Sequence, residues 1–449
     1  MSSSENLLEL FEQQKDFLET TVKGNIEKYR KGDCVLTVRR ADGRPLDNAT
    51  VCIRQKSHAF RFGANIFMLD EMETPEKNEA YKRAFADVFN MATLPFYWNS
   101  LEPERGKPRY AKDSPKVYRR PPIDLCIEFC EKHGIEPREH ALAYEQFFPK
   151  WLYGASTEEV KSELERRYAE ISERYADKIP TIEVTNEMMW PKGRTAFYDD
   201  PDYVRWCFEL AEKYFPNNRL VINERTSDSW VGNCRATDGY YAYTEATMLK
   251  GARIDAIGMQ YHLFEKRENL YTRSRKTLNP ECLYKHMDLY SGFGKPLQIT
   301  EVTIPAYSWA AEDEAIQAQL IEHLYSIWFS HPAVEQIVYW NLVDGYAHLW
   351  DPDPEKIKAS QGDMTLGENY YYGGLLRFDM SPKPAYFKIK ELLQKTWHTE
   401  EELCCDTNGT ASFRGFFGTY EAEITLDGVT VTKEFTLDKN ADSSIEITL

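Results

Sequence analysis

The sequence predicts an α/β fold in which a (β/α)8 barrel, also known as a TIM barrel, carries a small accessory β module. Between residues 61 and 397, short apolar segments alternate eight times with long segments whose apolar residues recur at helical spacing. This alternation is typical of parallel βα units, and eight such units close into a barrel. On either side, residues 31–60 and 398–449 alternate apolar and polar side chains with a period of two, which predicts antiparallel strands.

The segments outside the barrel are predicted as a helix, a hairpin and a small sheet. Residues 1–30 place Leu7 and Leu10 at helical spacing, which predicts an amphipathic helix packed on a larger body. Residues 31–60 follow as a β-hairpin around the turn ADGRPLDN, and residues 398–449 form a module of three or four strands. Because each piece alone is too short to bury its apolar face, we expect the hairpin and the module to form one accessory sandwich.

The barrel is predicted from eight short apolar segments, each of a length suited to a buried parallel strand. Amphipathic helices such as TEEVKSELERRYAEISERYA and EAIQAQLIEHLYSIWFSH separate them, and PKPAYFKIKELLQK closes the last unit. In chain order, the predicted strands are RFGANIF, MATLPFYW, REHALAY, TIEVTNE, RLVINE, IDAIGMQYH, PLQITEV and EQIVYWN.

The charge of the chain argues against two classes of partner. Asp and Glu number 72 against 55 Lys and Arg, so the formal net charge is -17, which repels nucleic acid and anionic membrane surfaces. No apolar run approaches the roughly 20 residues that cross a bilayer. We therefore expect neither a nucleic-acid nor a membrane partner, and the oligomeric state stays open.

Compartment and cofactor use follow from other local features. The N-terminal sequence MSSSENLLELFEQQ lacks the basic and apolar regions of a secretory signal, so we expect a cytoplasmic protein, or a secreted one if a processed signal was omitted. The nine cysteines are scattered, which favours reduced thiols over a disulfide framework. No predicted strand carries a His-x-His pair, so we expect neither a metal nor a cofactor.

Polar side chains, with one tryptophan, stand at the C-terminal ends of six predicted strands, where the catalytic groups of a barrel project. Any one of them alone could be a hydrogen-bonded core residue. Together they would cost several kcal/mol to desolvate unless a polar ligand organised them, so we predict a cavity that binds a hydroxyl-rich molecule. They are His140, Asn186, Glu187, Asn223, Glu224, Gln260, His262, Glu301, Trp340 and Asn341.

Two of these residues, Glu187 and Glu301, suit glycoside hydrolysis. In that reaction one carboxyl group protonates the leaving oxygen, and the other attacks the anomeric carbon or activates water. The acid has to stay protonated, which the nearby Trp190 favours, and the nucleophile has to stay ionised, which donors such as His262 or Asn186 favour.

The motifs around these residues resemble those of glycoside hydrolase family 10, the retaining endo-β-1,4-xylanases. They are VTNE, GMQYHL and QITEV, together with WNSLEPERGKPRY after the second strand and PKPAY near the end of the barrel. The resemblance implies that Glu187 is the general acid/base and Glu301 the nucleophile. It further implies that Asn186 holds the substrate 2-hydroxyl and that Gln260 and His262 lie beside the nucleophile, with His262 tuning its protonation.

The sequence departs from the family pattern on one side of the cleft. The second strand usually supplies an Asn and a Lys that grip a neighbouring sugar, but Leu94 and Tyr97 stand in their places. A Trp-His pair after the third strand is replaced, and the fifth-strand motif keeps only its first asparagine. The candidate contacts that complete the predicted site are His140 and Trp340, which match family positions at the cleavage site, and Trp98, Asn223, Tyr144 and Glu145.

Three functions stay open at this point. We predict a retaining hydrolase that cleaves β-1,4-xylosidic bonds in xylan or xylo-oligosaccharides by double displacement. The altered subsite favours an alternative, a related β-glycosidase that acts on another β-glycan or on an aryl glycoside whose ring packs on Leu94, Phe96, Tyr97 and Tyr144. From a different class, a carbohydrate-binding barrel without turnover would have no need of both glutamates.

Overall fold

Eight parallel strands close into a barrel in the computed structural model, which describes residues 7–350, 354–441 and 444–449. Neighbouring barrel strands pair in chain order, and the last pairs with the first, so the predicted (β/α)8 fold is confirmed. Residues 1–6 of the predicted N-terminal helix lie outside the described residues. In chain order, the strands are β1 (Lys31–Arg39), β2 (Thr50–His58), β3 (Arg61–Asn65), β4 (Met91–Pro95), β5 (Glu136–His140), β6 (Thr181–Asn186), β7 (Arg219–Glu224), β8 (Ala256–His262), β9 (Leu297–Thr303), β10 (Val334–Tyr339), β11 (Glu400–Cys404), β12 (Thr410–Phe416), β13 (Gly418–Leu426), β14 (Val429–Leu437) and β15 (Ser444–Thr448).

Helices cover the outside of the barrel formed by β3 to β10. Among the described residues, no helix combines the length and the apolar character needed to cross a bilayer. The α-helices are Glu9–Gln13, Lys15–Phe17, Lys23–Tyr29, Pro75–Val88, Trp98–Leu101, Ile123–His133, Thr157–Tyr175, Tyr203–Tyr214, Thr226–Ser229, Gly239–Leu249, Leu270–Arg273, Pro280–Ser291, Ala311–Ser330, Pro354–Ala359 and Pro384–Glu391. Single turns of other helix types span Leu18–Val22, Glu145–Phe147, Lys150–Leu152, Ala196–Asp199, Gly367–Tyr371 and Leu392–Thr396.

Side-chain caps fix where several barrel helices begin. The side chains of Thr74, Ser156 and Asn279 each accept a hydrogen bond from the backbone amide three residues later, at 3.3, 3.2 and 3.0 Å respectively. Pro75 and Pro280 directly follow two of these caps, at the helix position where a missing N–H costs nothing. These signals set the length of the loops that leave the C-terminal ends of the strands.

The accessory module is a sandwich of two sheets built from both ends of the described chain. One sheet has the strand order β12-β1-β15, and the other has the order β11-β2-β13-β14. Side chains between the sheets form a core of their own, in which Leu36, Val51 and Tyr420 are fully buried. The predicted union of the N-terminal and C-terminal segments in one accessory module is therefore confirmed.

The pairing inside this module differs from the predicted hairpin. β1 and β2 lie in different sheets: β1 pairs antiparallel with β12 and parallel with β15, whereas β2 pairs with β11 and β13. The C-terminal segment supplies five strands, β11 to β15, instead of three or four. A period of two in the sequence identifies strands, but it carries no information about which strands become neighbours.

The N-terminal helical segment packs on the helix Ala311–Ser330. The ring of Phe11 is buried and stacks on the ring of His323, with 4.7 Å between centroids. At the other end of the segment, the guanidinium of Arg30 donates to the backbone oxygen of Val334 at 2.7 Å and to two further carbonyls just before it. These contacts hold the segment against the side of the barrel.

Candidate active site

The C-terminal ends of the barrel strands surround a cavity of about 1430 Å³. Residues from several strand ends and from the loops that follow them line this cavity. The structure thus brings together residues that lie far apart in the sequence. Of the candidates singled out from the sequence, those that line the cavity are Tyr144, Glu187, Gln260, His262, Glu301 and Trp340.

Glu301, near the end of β9, is the more buried of the two candidate catalytic glutamates. Its Oε1 accepts a hydrogen bond from Asn223 Nδ2 at 3.1 Å, and its Oε2 lies 3.2 Å from His262 Nε2. Burial lowers the pKa of His262 to about 4, so its ring is neutral at physiological pH. Thr303 Oγ1 lies 2.9 Å from Nδ1, so each ring nitrogen of His262 has a polar partner.

The pKa of Glu301 lies well above that of an exposed glutamate. Burial raises it to about 8, and the nearby carboxylates of Glu183 and Glu187 add to this increase, whereas His140 opposes it. The hydrogen bond that Asn223 donates to Glu301 favours the ionised form, whereas burial favours the neutral form. Glu301 therefore titrates close to physiological pH and not in the acidic range of an ordinary glutamate.

Glu187 follows β6 directly and is only partly buried. Its backbone adopts the left-handed conformation, with φ 53°, and its amide donates to the backbone oxygen of Asn223 at 3.1 Å. Gln260 Nε2 donates to Oε1 at 3.0 Å, and Trp190 Nε1 donates to Oε2 at 2.7 Å. Both carboxylate oxygens are thus held in place, and the carboxyl group lines the cavity.

The end of β7 supports the loop that carries Trp190. Glu224 Oε2 accepts the backbone amide of Met189 at 3.0 Å, and Arg225 Nη2 donates to the backbone oxygen of the same residue at 3.1 Å. The guanidinium of Arg225 also lies over the Trp190 ring, 4.3 Å from its centroid. Glu224 is fully buried, and burial raises its pKa to about 8. It therefore supports the loop and does not line the cavity.

Three side-chain amides connect the two glutamates. Asn223 Nδ2, which contacts Glu301, also donates to Asn186 Oδ1 at 3.0 Å. Gln260 Nε2, which contacts Glu187, donates to the same Asn186 oxygen at 3.2 Å. Asn186 Nδ2 is buried without a hydrogen-bond partner among the described residues, and Asn186 is not among the residues that line the cavity. This bridge fixes the two carboxyl groups relative to each other through short, rigid side chains.

A layer of charged residues that was not predicted lies beneath the glutamates. Glu183 accepts hydrogen bonds from Arg138 Nη2 at 2.5 Å and Asn223 Nδ2 at 3.2 Å, and it lies 2.9 Å from His140 Nδ1. Burial alone would raise the pKa of Glu183, but His140 and Arg138 outweigh it and lower the pKa below its usual value. The sequence signal was an arginine and a glutamate inside the otherwise apolar segments of β5 and β6.

One group in this layer has atoms of the types that bind metals. His140, Glu183 and Glu301 bring three such atoms within 4.8 Å of one another, which no other group of described residues does. The oxygens of Glu183 are already occupied by Arg138, Asn223 and the imidazole. Because both oxygens have hydrogen-bond partners, the cluster fits a hydrogen-bonded support for Glu301 better than an ion site.

His140 reaches the cavity only through another residue. Its ring is fully buried, and Nε2 lies 3.0 Å from the hydroxyl of Tyr97, which lines the cavity. Tyr97 occupies the position of the family lysine, and it covers the imidazole that was predicted to contact a sugar. Tyr97 therefore stands between His140 and the cavity.

Three other predicted contact residues do not face the cavity. Trp98 is buried, and its Nε1 donates to Glu102 Oε2 at 2.8 Å, so it is a packing residue. Glu145 Oε1 accepts the backbone amides of two residues in the loop 194–195, each at 2.5 Å, which anchors that loop behind the cavity wall. Asn223 is fully buried and acts through Glu301. The sequence could not show these directions, because they depend on loop geometry after each strand.

An aromatic wall lies on the altered side of the cavity. Tyr97, Phe67 and Trp340 form one cluster, and Tyr144 and Phe147 pack against it. Burial and the nearby Glu187 hold the pKa of Tyr144 well above its usual value. Two residues predicted for this surface, Leu94 and Phe96, are instead fully buried in the barrel core and do not line the cavity.

The architecture and these motifs agree with the result of a family comparison. The model of Glycosyl hydrolase family 10 matches residues 57–392, which is most of the chain. The chain belongs to this family. Its relatives among characterised proteins include endo-1,4-beta-xylanase 1 of Arabidopsis thaliana, at 25% identity over 95% of this chain and 40% of the relative. Another, the anti-sigma-I factor RsgI6 of Acetivibrio thermocellus, is 24% identical over 90% of this chain and 46% of its own length.

The chain thus spans less than half the length of these two family 10 relatives. A shorter relative, endo-1,4-beta-xylanase B of Thermotoga neapolitana, is 25% identical over 75% of this chain and 88% of its own length. Among solved structures, xylanase 10B from Thermotoga petrophila in complex with xylobiose superimposes with a TM-score of 0.59 at 20% identity, covering 75% of this chain and 95% of that one. The superposition confirms the barrel fold.

Proposed function

We propose that this family 10 chain hydrolyses β-1,4-xylosidic bonds in xylan or xylo-oligosaccharides with net retention, by double displacement. The observation that carries the proposal is the amide bridge between the two glutamates. Glu301, Asn223, Asn186, Gln260 and Glu187 are joined in that order by contacts of 3.1, 3.0, 3.2 and 3.0 Å. Two carboxyl groups held rigidly on one cavity are the arrangement that glycoside hydrolysis requires.

In the proposed reaction, Glu301 attacks the anomeric carbon while Glu187 protonates the leaving oxygen. The resulting glycosyl-enzyme ester is then hydrolysed by a water molecule that Glu187 deprotonates. Attack requires Glu301 to be ionised. Because burial raises its pKa to about 8, a hydroxyl of the bound sugar that donates to Glu301 would favour the ionised form, as Asn223 already does.

The size of the cavity supports an oligosaccharide substrate. Its volume of about 1430 Å³ exceeds the roughly 300–1,000 Å³ of sites for drug-sized ligands, which leaves room for several sugar rings. The expected cytoplasmic location would favour short xylo-oligosaccharides over polymeric xylan, since a polymer does not enter the cell.

A second candidate function is supported by the aromatic wall. Tyr97, Tyr144 and Phe147 line the cavity on the side where the family usually has polar sugar contacts. Such a surface suits a flat apolar group, so an aryl β-glycoside or another β-glycan is the alternative substrate class. A non-catalytic carbohydrate-binding barrel is disfavoured because both glutamates are present and supported by donors.

The proposal is tested with xylo-oligosaccharides and aryl β-glycosides, with products identified and the anomer formed first followed by NMR. We expect hydrolysis of the xylose-based substrates with retention. Glu301→Ala should abolish turnover of every substrate, whereas Glu187→Ala should spare aryl glycosides with good leaving groups, which need little protonation. The exposed Glu312, changed to Ala, is a matched control. Hydrolysis of only non-xylose glycosides, or release of the inverted anomer, would refute the proposal.

A further inference from the structure

Two consecutive arginines form part of the cavity wall although they are almost completely buried. Arg119 and Arg120 precede the helix Ile123–His133, and their relative exposures are only 3% and 7%. Both line the cavity that holds the candidate catalytic glutamates. Arginine is seldom buried to this extent without a charged partner, so the contacts of the pair need an explanation.

The protein partners of these two guanidiniums are all neutral. Arg119 Nη1 donates to the backbone oxygen of Tyr346 at 2.6 Å, and Arg120 Nη1 donates to the backbone oxygen of Arg119 at 2.8 Å. The Arg120 guanidinium lies over the ring of Tyr97, 3.7 Å from its centroid. Both Nε atoms are buried without a hydrogen bond. Over the described ranges of the chain, no carboxylate oxygen lies within 4.0 Å of either guanidinium.

The charges around the pair compensate it only in part: burial lowers the pKa of Arg120 to about 10, and the charge of Glu368 opposes this decrease. Glu368 lines the same cavity, but it accepts from Asn341 Nδ2 at 2.9 Å and makes no ion pair with either arginine. Lys116, which also lines the cavity, adds a further positive charge on this side. Two adjacent buried cations without an ion pair cost several kcal/mol to desolvate, and an anionic ligand in the cavity would offset this cost.

The position of the pair relative to the reacting carbon indicates which part of a substrate would supply the anion. Arg120 packs on Tyr97, the Tyr97 hydroxyl contacts His140, and His140 Nδ1 lies 4.0 Å from Glu301 Oε1. An aromatic ring and an imidazole therefore separate the guanidinium from the nucleophile. The pair therefore lies beside the position that Glu301 would attack, and not at it.

We propose that Arg119 and Arg120 form a carboxylate-binding subsite, so that the preferred substrate carries a uronic acid next to the sugar whose bond is cleaved. The planar guanidinium group offers paired N–H donors that match the two oxygens of a carboxylate, a geometry that a lysine cannot provide. The inference rests on the proposed function, since it names the substrate class for the same site.

The test compares three ligands of equal length: a xylo-oligosaccharide with one uronic acid substituent, its methyl ester, and the neutral parent. Binding is measured by calorimetry on full-length Glu301→Gln protein, which does not consume the ligands. We expect the acid to bind at least tenfold tighter than the ester and the neutral parent, with an advantage that decreases as salt is added. Equal affinity for the acid and its ester would overturn the inference.

Variants of the pair separate recognition from folding. In the same background, Arg120→Gln and Arg119→Gln should each remove most of the preference for the acid, whereas Arg120→Lys should retain part of it. Arg44→Gln, at an exposed site in the accessory module, is the matched control and should retain all of it. The inference would be refuted if Arg120→Gln lowered the affinity for all three ligands by the same factor and Arg120→Lys had the same effect, because that result would show a structural role.

The outcomes for the two proposals differ. If wild-type protein hydrolyses neutral and acidic xylo-oligosaccharides at equal kcat/KM and binds them equally, the proposed function stands and the carboxylate subsite is refuted. If the acid is preferred in binding but no xylosidic bond is cleaved, the subsite stands and the proposed function is refuted.

Discussion

Replacement of Glu301 by glutamine should stabilise the protein, and more so at high pH. The pKa of Glu301 is raised by burial from an ordinary value near 4.5 to about 8. Between these values the unfolded chain releases its proton while the folded protein keeps it, so the contribution of this group to stability falls as the pH rises. At about 1.4 kcal/mol per pH unit, the loss reaches an upper limit of about 5 kcal/mol at pH 9.

Glutamine has the same shape and does not ionise, so the variant avoids this loss. We expect the difference in Tm between Glu301→Gln and wild type to be small at pH 5 and to widen by several degrees at pH 9, measured by calorimetry. The exposed Glu312→Gln variant should show no such widening. A Tm difference that is the same at both pH values would refute the idea that the Glu301 carboxyl is destabilised by burial.

The remaining predictions concern the acid, the buried layer and the accessory module. Trp190→Phe removes a hydrogen bond that positions the Glu187 carboxyl group, so kcat on xylo-oligosaccharides should fall about tenfold, while activated aryl glycosides are less affected. Equal losses on both substrates would contradict this role. Tyr97→Phe leaves the ring nitrogen of His140 unpaired. The free energy of unfolding, measured with urea, should therefore fall by about 1–3 kcal/mol. Tyr420→Ala in the core of the sandwich should lower the free energy of unfolding by about 3–5 kcal/mol. The variant should leave KM unchanged, since other elements line the cavity.

The barrel could be predicted because its strands are local and buried on both faces. Each of the eight segments from RFGANIF to EQIVYWN carries its own apolar signal, and parallel strands with intervening helices have few ways to assemble. The strand pairing in the accessory sheets was harder to predict, because β1 pairs with a strand at the other end of the chain. Strand pairing over such a distance leaves no mark in a local sequence pattern.

In the candidate site too, some residues could be predicted from the sequence and others could not. Glu187 and Glu301 were found because they end apolar strands, and a polar residue there has few structural roles. Trp98 follows the same logic but turns into the core, since the short helix after β4 decides its direction. Arg119 and Arg120 lie in a long loop without periodicity, so only the folded chain reveals that both guanidiniums reach the cavity.

The division of the accessory sandwich between the two ends of the chain affects how the protein is made. β1 and β2 are synthesised early, yet nearly all of their hydrogen-bonding partners lie in β11 to β15. While the ribosome produces the barrel, both strands keep open edges and an apolar face exposed to water, the condition under which strands pair with other molecules. Completion of this module therefore has to wait for synthesis of the C-terminal strands, and deletion of those strands would leave β1 and β2 without their hydrogen-bonding partners.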